Sequence, residues 1–108
     1  MTGNDYQRLT LRTWHVPDMP YGDLIVGSMG LNGEAGEVID LVKKWLAQGH
    51  ELDREHIAEE LGDTLYYLAI TALSIGKKLD DIMEANIEKL QKRFPNGFSS
   101  ERSVNRSE

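Results

Sequence analysis

The segment from Thr64 to Gly76 (TLYYLAITALSIG) contains no charged residue, so a helix built from it has no charged face. A helix that is apolar on all sides is normally buried on all sides. A chain of 108 residues has few ways of surrounding one of its own helices. We therefore expect a homodimer or homotetramer whose core contains this helix. The alternative is a monomer with a central helix and exposed Tyr, Thr and Ser side chains.

The rest of the sequence predicts an all-α, four-helix bundle, because no run alternates apolar and polar residues as a strand does. The capping and stop signals predict a short helix that is capped by Asn4 or Asp5 and runs to about Trp14, followed by helices from about Asp23 to Ala47 and from about Arg54 to Ile75. They also predict a last helix that is capped by Asp80 and runs to about Phe94. Residues 1–98 are expected to form a single domain. The polar segment 99–108 has no periodic apolar face and is expected to be a mobile tail.

The composition excludes several classes of protein. The chain has no Cys, which rules out disulfides, thiolate zinc sites and thiol nucleophiles. It shows no signal peptide and no apolar run of roughly 18–20 residues, so we expect a cytoplasmic protein without membrane contact. The segment 34–63 holds nine acidic and three basic residues and so carries the whole net charge of −6. This distribution argues against nucleic-acid binding and favours a cationic ligand near the middle of the chain.

Two acidic pairs lie on the two longest predicted helices, as Glu34-x-x-Glu37 and Glu60-x-x-Asp63. Residues three apart are neighbours on a helix. If the helices pack antiparallel, the pairs can meet near the middle of the bundle. Four carboxylates around one cavity form an all-oxygen site of the kind that Mg²⁺ or Mn²⁺ prefers.

Glu34 is the most informative of these acids, because it falls inside the apolar arc of its helix. A desolvated carboxylate must be paired, protonated or bound to metal. The alternative is a solvated face on which Asp40 pairs with Lys43 or Lys44. His56 lies four residues before Glu60 and could share its face, although we expect it to be an exposed residue of the first helical turn.

Four glycines recur at every third position of the same helix, at Gly27, Gly30, Gly33 and Gly36. Each costs about 1 kcal/mol relative to Ala in a helix, so a reason for them is expected. The glycines could permit close approach of a second helix, or leave room for a metal and phosphates.

At these residues the sequence resembles a known family. The segments GEAGEVID from Gly33 and EELGDTLYY from Glu59 are similar to the signature of the MazG-type all-α nucleoside triphosphate pyrophosphohydrolases. The segment KLQKRFPNGF from Lys89 resembles the last helix of the family and the loop after it. The resemblance extends from about Leu24 to Phe98, and the N-terminal helix is similar to that of short, phage-type members.

The resemblance implies an enzyme that hydrolyses a nucleoside triphosphate to the monophosphate and pyrophosphate with Mg²⁺, or with Mn²⁺ in its place. It implies that Glu34, Glu37, Glu60 and Asp63 are metal ligands. It also implies a carboxylate that orients or deprotonates the attacking water, and either Glu34 or Glu37 could be this base.

The substrate contacts are less constrained by the sequence. The resemblance implies phosphate contacts from the last helix, and other residues lie where they could reach the phosphates or the base. The candidates are Asn86, Lys89, Arg93, Lys44, Tyr67 and Trp14. Each has an ordinary alternative: the cations can interact with a helix C-terminus or pair with Asp40, and the aromatic residues can pack.

The expected role is sanitation of a nucleotide pool. Two alternatives remain open at this point. The same fold could act on another nucleotide pyrophosphate, such as dUTP, dUDP or phosphoribosyl-ATP. The chain could also be a non-enzymatic helical adaptor that retains the acids as a surface.

Overall fold

The computed structural model describes residues 1–106 and is helical, with no strand among those residues. The prediction of an all-α fold is therefore confirmed. The helices are α1 (Gly3–Thr10), α2 (Gly22–Ala47), α3 (Arg54–Ser74), α4 (Leu79–Arg93) and α5 (Ser100–Val104). The bounds of α2, α3 and α4 agree with the predicted ones to within two residues. No helix within residues 1–106 is both long and apolar enough to cross a membrane.

The short helix α5 was not expected from the sequence. It lies in the segment predicted to be a mobile tail, where the Ser99 side chain accepts a hydrogen bond from Arg102 N and caps the helix. Residues 107 and 108 of that segment lie outside the described residues. The mobility of the tail stays a prediction.

Helices α2 and α3 form an antiparallel hairpin that is the main body of the fold. A Cβ on Gly27 would stand 2.8 Å from Thr71 Oγ1, and one on Gly30 would stand 2.3 Å from the Tyr67 ring. These two glycines therefore let the helices approach closely. Gly33 and Gly36 have no such neighbour within 4 Å, so close packing inside this chain does not explain them.

The expected cap of α1 at Asn4 or Asp5 is wrong, because Thr2 is the cap residue and forms a reciprocal capping box with Asp5, so α1 begins at Gly3. Its α-helical part ends at Thr10 rather than Trp14. The chain continues to Trp14 in tighter turns, in which each amide from Leu11 to Trp14 donates to the carbonyl three residues earlier.

Two side chains of α1 fix the position of α4. The buried Gln7 donates to the carbonyls of Ala69 (3.1 Å) and Lys77 (3.0 Å), and it accepts from Leu79 N (3.1 Å). Asn4 accepts from Asp80 N at 2.9 Å. The expected cap at Asp80 is therefore wrong: Lys78 is the cap residue, and donors at the start of α4 are satisfied by α1 instead.

The core of the single chain is small. The buried apolar residues are Ala69, Ile70 and Ala72 of α3, with Leu79 at the start of α4. Other members of the uncharged segment, such as Leu65 and Ile75, remain exposed. Beyond its first two residues, α4 is exposed as far as Lys92. The fold thus leaves substantial apolar surface uncovered.

Candidate metal centre

Three carboxylates converge where α2 and α3 cross at mid-length. Glu34 of α2 and Glu60 and Asp63 of α3 each offer an oxygen, and these oxygens lie within 4.8 Å of one another. The antiparallel register places them there. Gly27 faces Thr71 and Gly30 faces Tyr67, and the same progression brings Glu34 to the level of Asp63.

The carboxylates interact strongly enough to change the protonation of Glu34. A hydrogen bond to Glu60 favours the neutral form of Glu34 and, with partial desolvation and the charges of Glu60, Asp63 and Glu37, raises the pKa of Glu34 from 4.5 to about 7. Like charges held together favour the neutral form of one of them. A divalent cation would reverse this preference, because it favours the ionised carboxylate.

Glu60 is largely buried, with 15% of its side chain exposed. Its Oε1 lies 3.4 Å from Nε2 of His56. Its Oε2 is buried, and no amide, hydroxyl or cationic donor within residues 1–106 reaches it. A buried oxygen without a hydrogen-bond donor is costly, and a bound cation would satisfy it. The three carboxylates offer only oxygen ligands, which suit a hard divalent metal.

Glu37 does not join this group. It is exposed on α2, although its charge is near enough to contribute to the raised pKa of Glu34. The structure therefore brings together three of the four expected ligands. The exposed Glu59, which precedes Glu60, also lies outside the group.

Lys44 is held by an acidic neighbour on its own helix. Its Nζ lies 3.0 Å from Asp40, which also pairs with Lys43 at 2.9 Å. Hydrogen bonds from the two lysines lower the pKa of Asp40. Lys44 also lines an open groove of about 690 Å³ with Asp53 and His56, at the end of the hairpin nearest Glu60.

Trp14 and Tyr67 belong to one aromatic cluster with Tyr66. The Tyr66 and Tyr67 rings meet edge to face at 5.2 Å, and the Trp14 ring lies 6.2 Å from each. Trp14 Nε1 donates to Asp23 at 2.8 Å, and the Tyr67 ring covers Gly30. Both rings are half-buried, so their packing role is established.

The three α4 candidates differ in their surroundings. Asn86 and Lys89 are exposed on the outer part of the helix. Arg93 is half-buried, and its Nε has no hydrogen-bond acceptor within residues 1–106. Within that range, no hydrogen bond or ion pair joins these residues to the carboxylate group.

Two neighbours of the carboxylates were not assigned to the site from the sequence. His56 is about half exposed, as expected, but it also contacts Glu60, and its spacing of four residues was the available signal. Tyr6 of α1 was not considered. Burial raises the pKa of Tyr6, with a further contribution from the nearby Asp63 carboxylate. The sequence carries no local signal that Tyr6 lies near Asp63, because their proximity depends on how α1 packs on α3.

The comparisons with known proteins give the family of the chain. The family model for the MazG nucleotide pyrophosphohydrolase domain matches residues 28–98, which include all three carboxylates. The chain belongs to this family of hydrolases. The family resemblance read from the sequence is therefore confirmed.

Two curated relatives are similar to the chain over part of its length. One is "Gene 37 protein" of Mycobacterium phage L5, which is 36% identical over 74 residues, or 65% of each chain. The other is "Uncharacterized protein YvdC" of Bacillus subtilis (strain 168), which is 44% identical over 41 residues, or 38% of this chain and 39% of that protein. The matches thus span less than two thirds of either relative. No solved structure gives a significant match.

Proposed function

We propose that the chain is a Mg²⁺-dependent nucleoside triphosphate pyrophosphohydrolase that releases a monophosphate and pyrophosphate. The observation that carries the proposal is the group formed by Glu34, Glu60 and Asp63, with a buried oxygen of Glu60 that no amide, hydroxyl or cationic donor reaches within residues 1–106. It lies inside the matched domain of a nucleotide pyrophosphohydrolase family. Sanitation of a nucleotide pool is the role that we propose for this reaction.

The carboxylate oxygens of Glu34, Glu60 and Asp63 would hold the metal, with Glu37 as a further ligand from the edge. Bound there, Mg²⁺ or Mn²⁺ would neutralise phosphate charge and lower the pKa of a coordinated water. The proteins that use this chemistry need hard oxygen donors, and the group consists of oxygen donors alone.

A carboxylate beside the scissile phosphate would orient or deprotonate the attacking water. Glu34 fits this role through its place in the group, because its oxygen lies within 4.8 Å of those of Glu60 and Asp63. Glu37 fits it through its position, because it lies beside the group and is exposed. Glu34→Gln and Glu37→Gln distinguish the two roles. Loss of the base should lower turnover while metal binding is kept, whereas loss of a metal ligand should abolish metal binding.

The phosphates would be contacted from α4 by Asn86, Lys89 and Arg93, and from α2 by Lys44. Arg93 has the strongest support, since its buried Nε has no acceptor within residues 1–106. Lys44 would have to divide its charge between a phosphate and Asp40. Trp14 and Tyr67 would contribute the edge of their aromatic cluster to base or phosphate contacts.

We also propose that the enzyme is a homodimer or homotetramer. The chain exposes 8147 Å², whereas a compact monomer of this mass exposes roughly 6,100 Å². Its radius of gyration is 17.1 Å, compared with about 13 Å for a compact domain of this length. The excess area, roughly 2,000 Å², is within the range that subunits of obligate oligomers bury. A second copy of the chain fits this surface.

Product analysis tests the proposed function. The full chain is incubated with a panel of ribo- and deoxyribonucleoside triphosphates in Mg²⁺ or in EDTA, and the products are separated by anion exchange. We expect monophosphate and pyrophosphate in Mg²⁺ alone. Glu60→Gln should lower kcat/KM at least about 100-fold, because even outer-shell changes at metal sites cost 10–100-fold.

Glu59→Gln is the matched control, since it removes the adjacent exposed carboxylate and should retain turnover. Release of orthophosphate, or equal turnover in EDTA, would contradict the proposal. Absence of turnover with clear Mg²⁺ binding would point to another nucleotide pyrophosphate as substrate. Absence of both would favour a non-enzymatic module.

A further inference from the structure

The end of α4, the loop after it and α5 enclose an open groove of about 750 Å³. This volume is in the range of sites for a single small molecule. None of its lining residues is one of the three carboxylates. Its α5 wall lies after residue 98, where the match to the family model ends.

The groove is positively charged in an otherwise acidic protein. Lys92, Arg93, Arg102 and Arg106 line it with one acid, Glu101, whereas the whole chain carries a charge of −6. Within residues 1–106 no ion pair neutralises any of these four cations. Guanidinium and ammonium groups arranged in this way match the oxygens of phosphate groups.

Arg102 prepares the groove for an anion. The C-terminal carbonyls of a helix repel negative charge. The Arg102 guanidinium donates to the carbonyls of Arg93 and Lys92 and thereby covers two of them. Its charge then lies over the negative end of α4, while Lys92, Arg93 and Arg106 remain available to a ligand.

Arg93, which is also a proposed phosphate contact of the substrate, lines this groove and lacks an acceptor among the described residues. Its Nε is buried, yet no acceptor within residues 1–106 reaches it. Buried donors are almost always hydrogen-bonded, so this atom requires an explanation. A phosphate oxygen in the groove would provide the acceptor.

An aromatic ring at the same groove indicates the kind of phosphate compound. Phe98 lines the groove with 76% of its surface exposed, and its ring lies 5.3 Å from that of Phe94. An exposed aromatic ring can stack on a nucleobase, while the neighbouring cations bind the phosphates of the same nucleotide. We propose that the α4–α5 groove binds the phosphate chain of a nucleotide, with Lys92, Arg93 and Arg106 as its charged contacts.

The inference that the ligand is a nucleotide rests on the proposed function. The inference that the groove binds phosphate groups does not. The phosphate chain could belong to the substrate, held between this groove and the carboxylates of a second copy. It could also belong to a second nucleotide that binds apart from the reaction. The chemistry of recognition is the same in both cases, and the experiment separates them.

Calorimetric titration of the full chain with tripolyphosphate in EDTA tests the groove without turnover or metal. We expect Lys92→Gln and Arg106→Gln each to weaken binding about tenfold, the cost of a lost charge-assisted hydrogen bond. Lys77→Gln, which removes an exposed cation at the other end of α4, should bind as the wild type does. Circular dichroism checks that each variant is folded. If both groove variants bind as Lys77→Gln does, the inference is wrong.

The KM for the triphosphate identifies the source of the phosphate chain. A raised KM with little change in kcat in Arg106→Gln would assign the groove to the substrate. An unchanged KM with lost tripolyphosphate binding would assign it to a second nucleotide. Binding by a wild type that turns over no triphosphate would refute the proposed function and support the groove. Turnover by a wild type that binds no tripolyphosphate would refute the groove alone.

Discussion

Glu34 shows how one residue acquires its chemistry from a partner helix. Alone on α2 it would be an ordinary acid, but α3 places Glu60 and Asp63 against it. Its pKa of about 7 follows first from the hydrogen bond to Glu60 and then from desolvation and like charge. In the absence of metal and between about pH 4.5 and 7, the native state therefore keeps a proton on Glu34 that the unfolded chain has released.

This raised pKa predicts how stability depends on pH. Between about pH 4.5 and 7 the native state binds more protons than the unfolded state, so the free energy of unfolding contributed by Glu34 falls as pH rises. Glu34→Gln removes this dependence. We expect the variant to gain stability relative to the wild type across that window, and the difference to level off above it. Urea unfolding in EDTA, at one chain concentration, measures the effect.

Glu59→Gln is the control for this titration, because it removes a neighbouring charge from outside the group. Its stability difference from the wild type should show no comparable slope in the same window. Parallel pH profiles for Glu34→Gln and the wild type would refute the coupling between the carboxylates.

The sequence was sufficient to predict the meeting of Glu34, Glu60 and Asp63, because helical spacing and an antiparallel hairpin determine it. It was not sufficient to separate Glu37 from that group. Glu37 lies at the edge of the apolar arc, and whether it turns inward depends on the side-chain geometry at the helix crossing. The contact of Tyr6 with this region depends on a helix almost sixty residues away and leaves no trace in local spacing.

Among the elements, α1 has the clearest structural role. It is eight residues long, and it joins the end of α3 to the start of α4 through Gln7 and Asn4. The bounds of α2 and α3 could be predicted from local signals such as Asp53 and Gly76. The cap of α4 could not, because its partners come from the distant α1.

Replacement of Gln7 tests how much these hydrogen bonds between α1, α3 and α4 stabilise the fold. Gln7→Ala removes three hydrogen bonds and leaves buried partners unsatisfied, so we expect a loss of about 3 kcal/mol in the free energy of unfolding. Gln91→Ala, at an exposed position of α4, should change it by less than about 0.5 kcal/mol. Equal free energies of unfolding for Gln7→Ala and Gln91→Ala in urea would show that the hydrogen bonds of Gln7 contribute little to stability.

At the scale of the whole molecule, the most prominent feature is the apolar surface that the single chain leaves exposed. Met83, Ile87 and Leu90 form one stripe along α4, and each has two fifths or more of its surface exposed. Residues at these spacings share a helix face. The uncharged segment of α3 predicted an oligomer, but it did not predict that α4 would present a second apolar face.

Ile87→Glu tests whether a second copy covers this stripe. A buried charge without a partner is costly, so we expect the variant to shift towards monomer at concentrations where the wild type is a dimer or tetramer. Sedimentation velocity measures the shift. Ala85→Glu adds the same charge to the opposite face of α4 and should leave the assembly intact. A monomeric wild type, or equal behaviour of the two variants, would contradict the proposed assembly.

The central claim is that Glu34, Glu60 and Asp63 form a divalent-metal site, and the melting temperature in increasing Mg²⁺ tests it most directly. A metal that binds only the folded state stabilises it by RT ln(1 + c/Kd), where c is the Mg²⁺ concentration, so the melting temperature keeps rising once c exceeds Kd. We predict a rise with the logarithm of the Mg²⁺ concentration for the wild type and for Glu59→Gln, and loss of the rise in Glu60→Gln. Superimposable Mg²⁺ titrations of Glu60→Gln and the wild type would contradict the account.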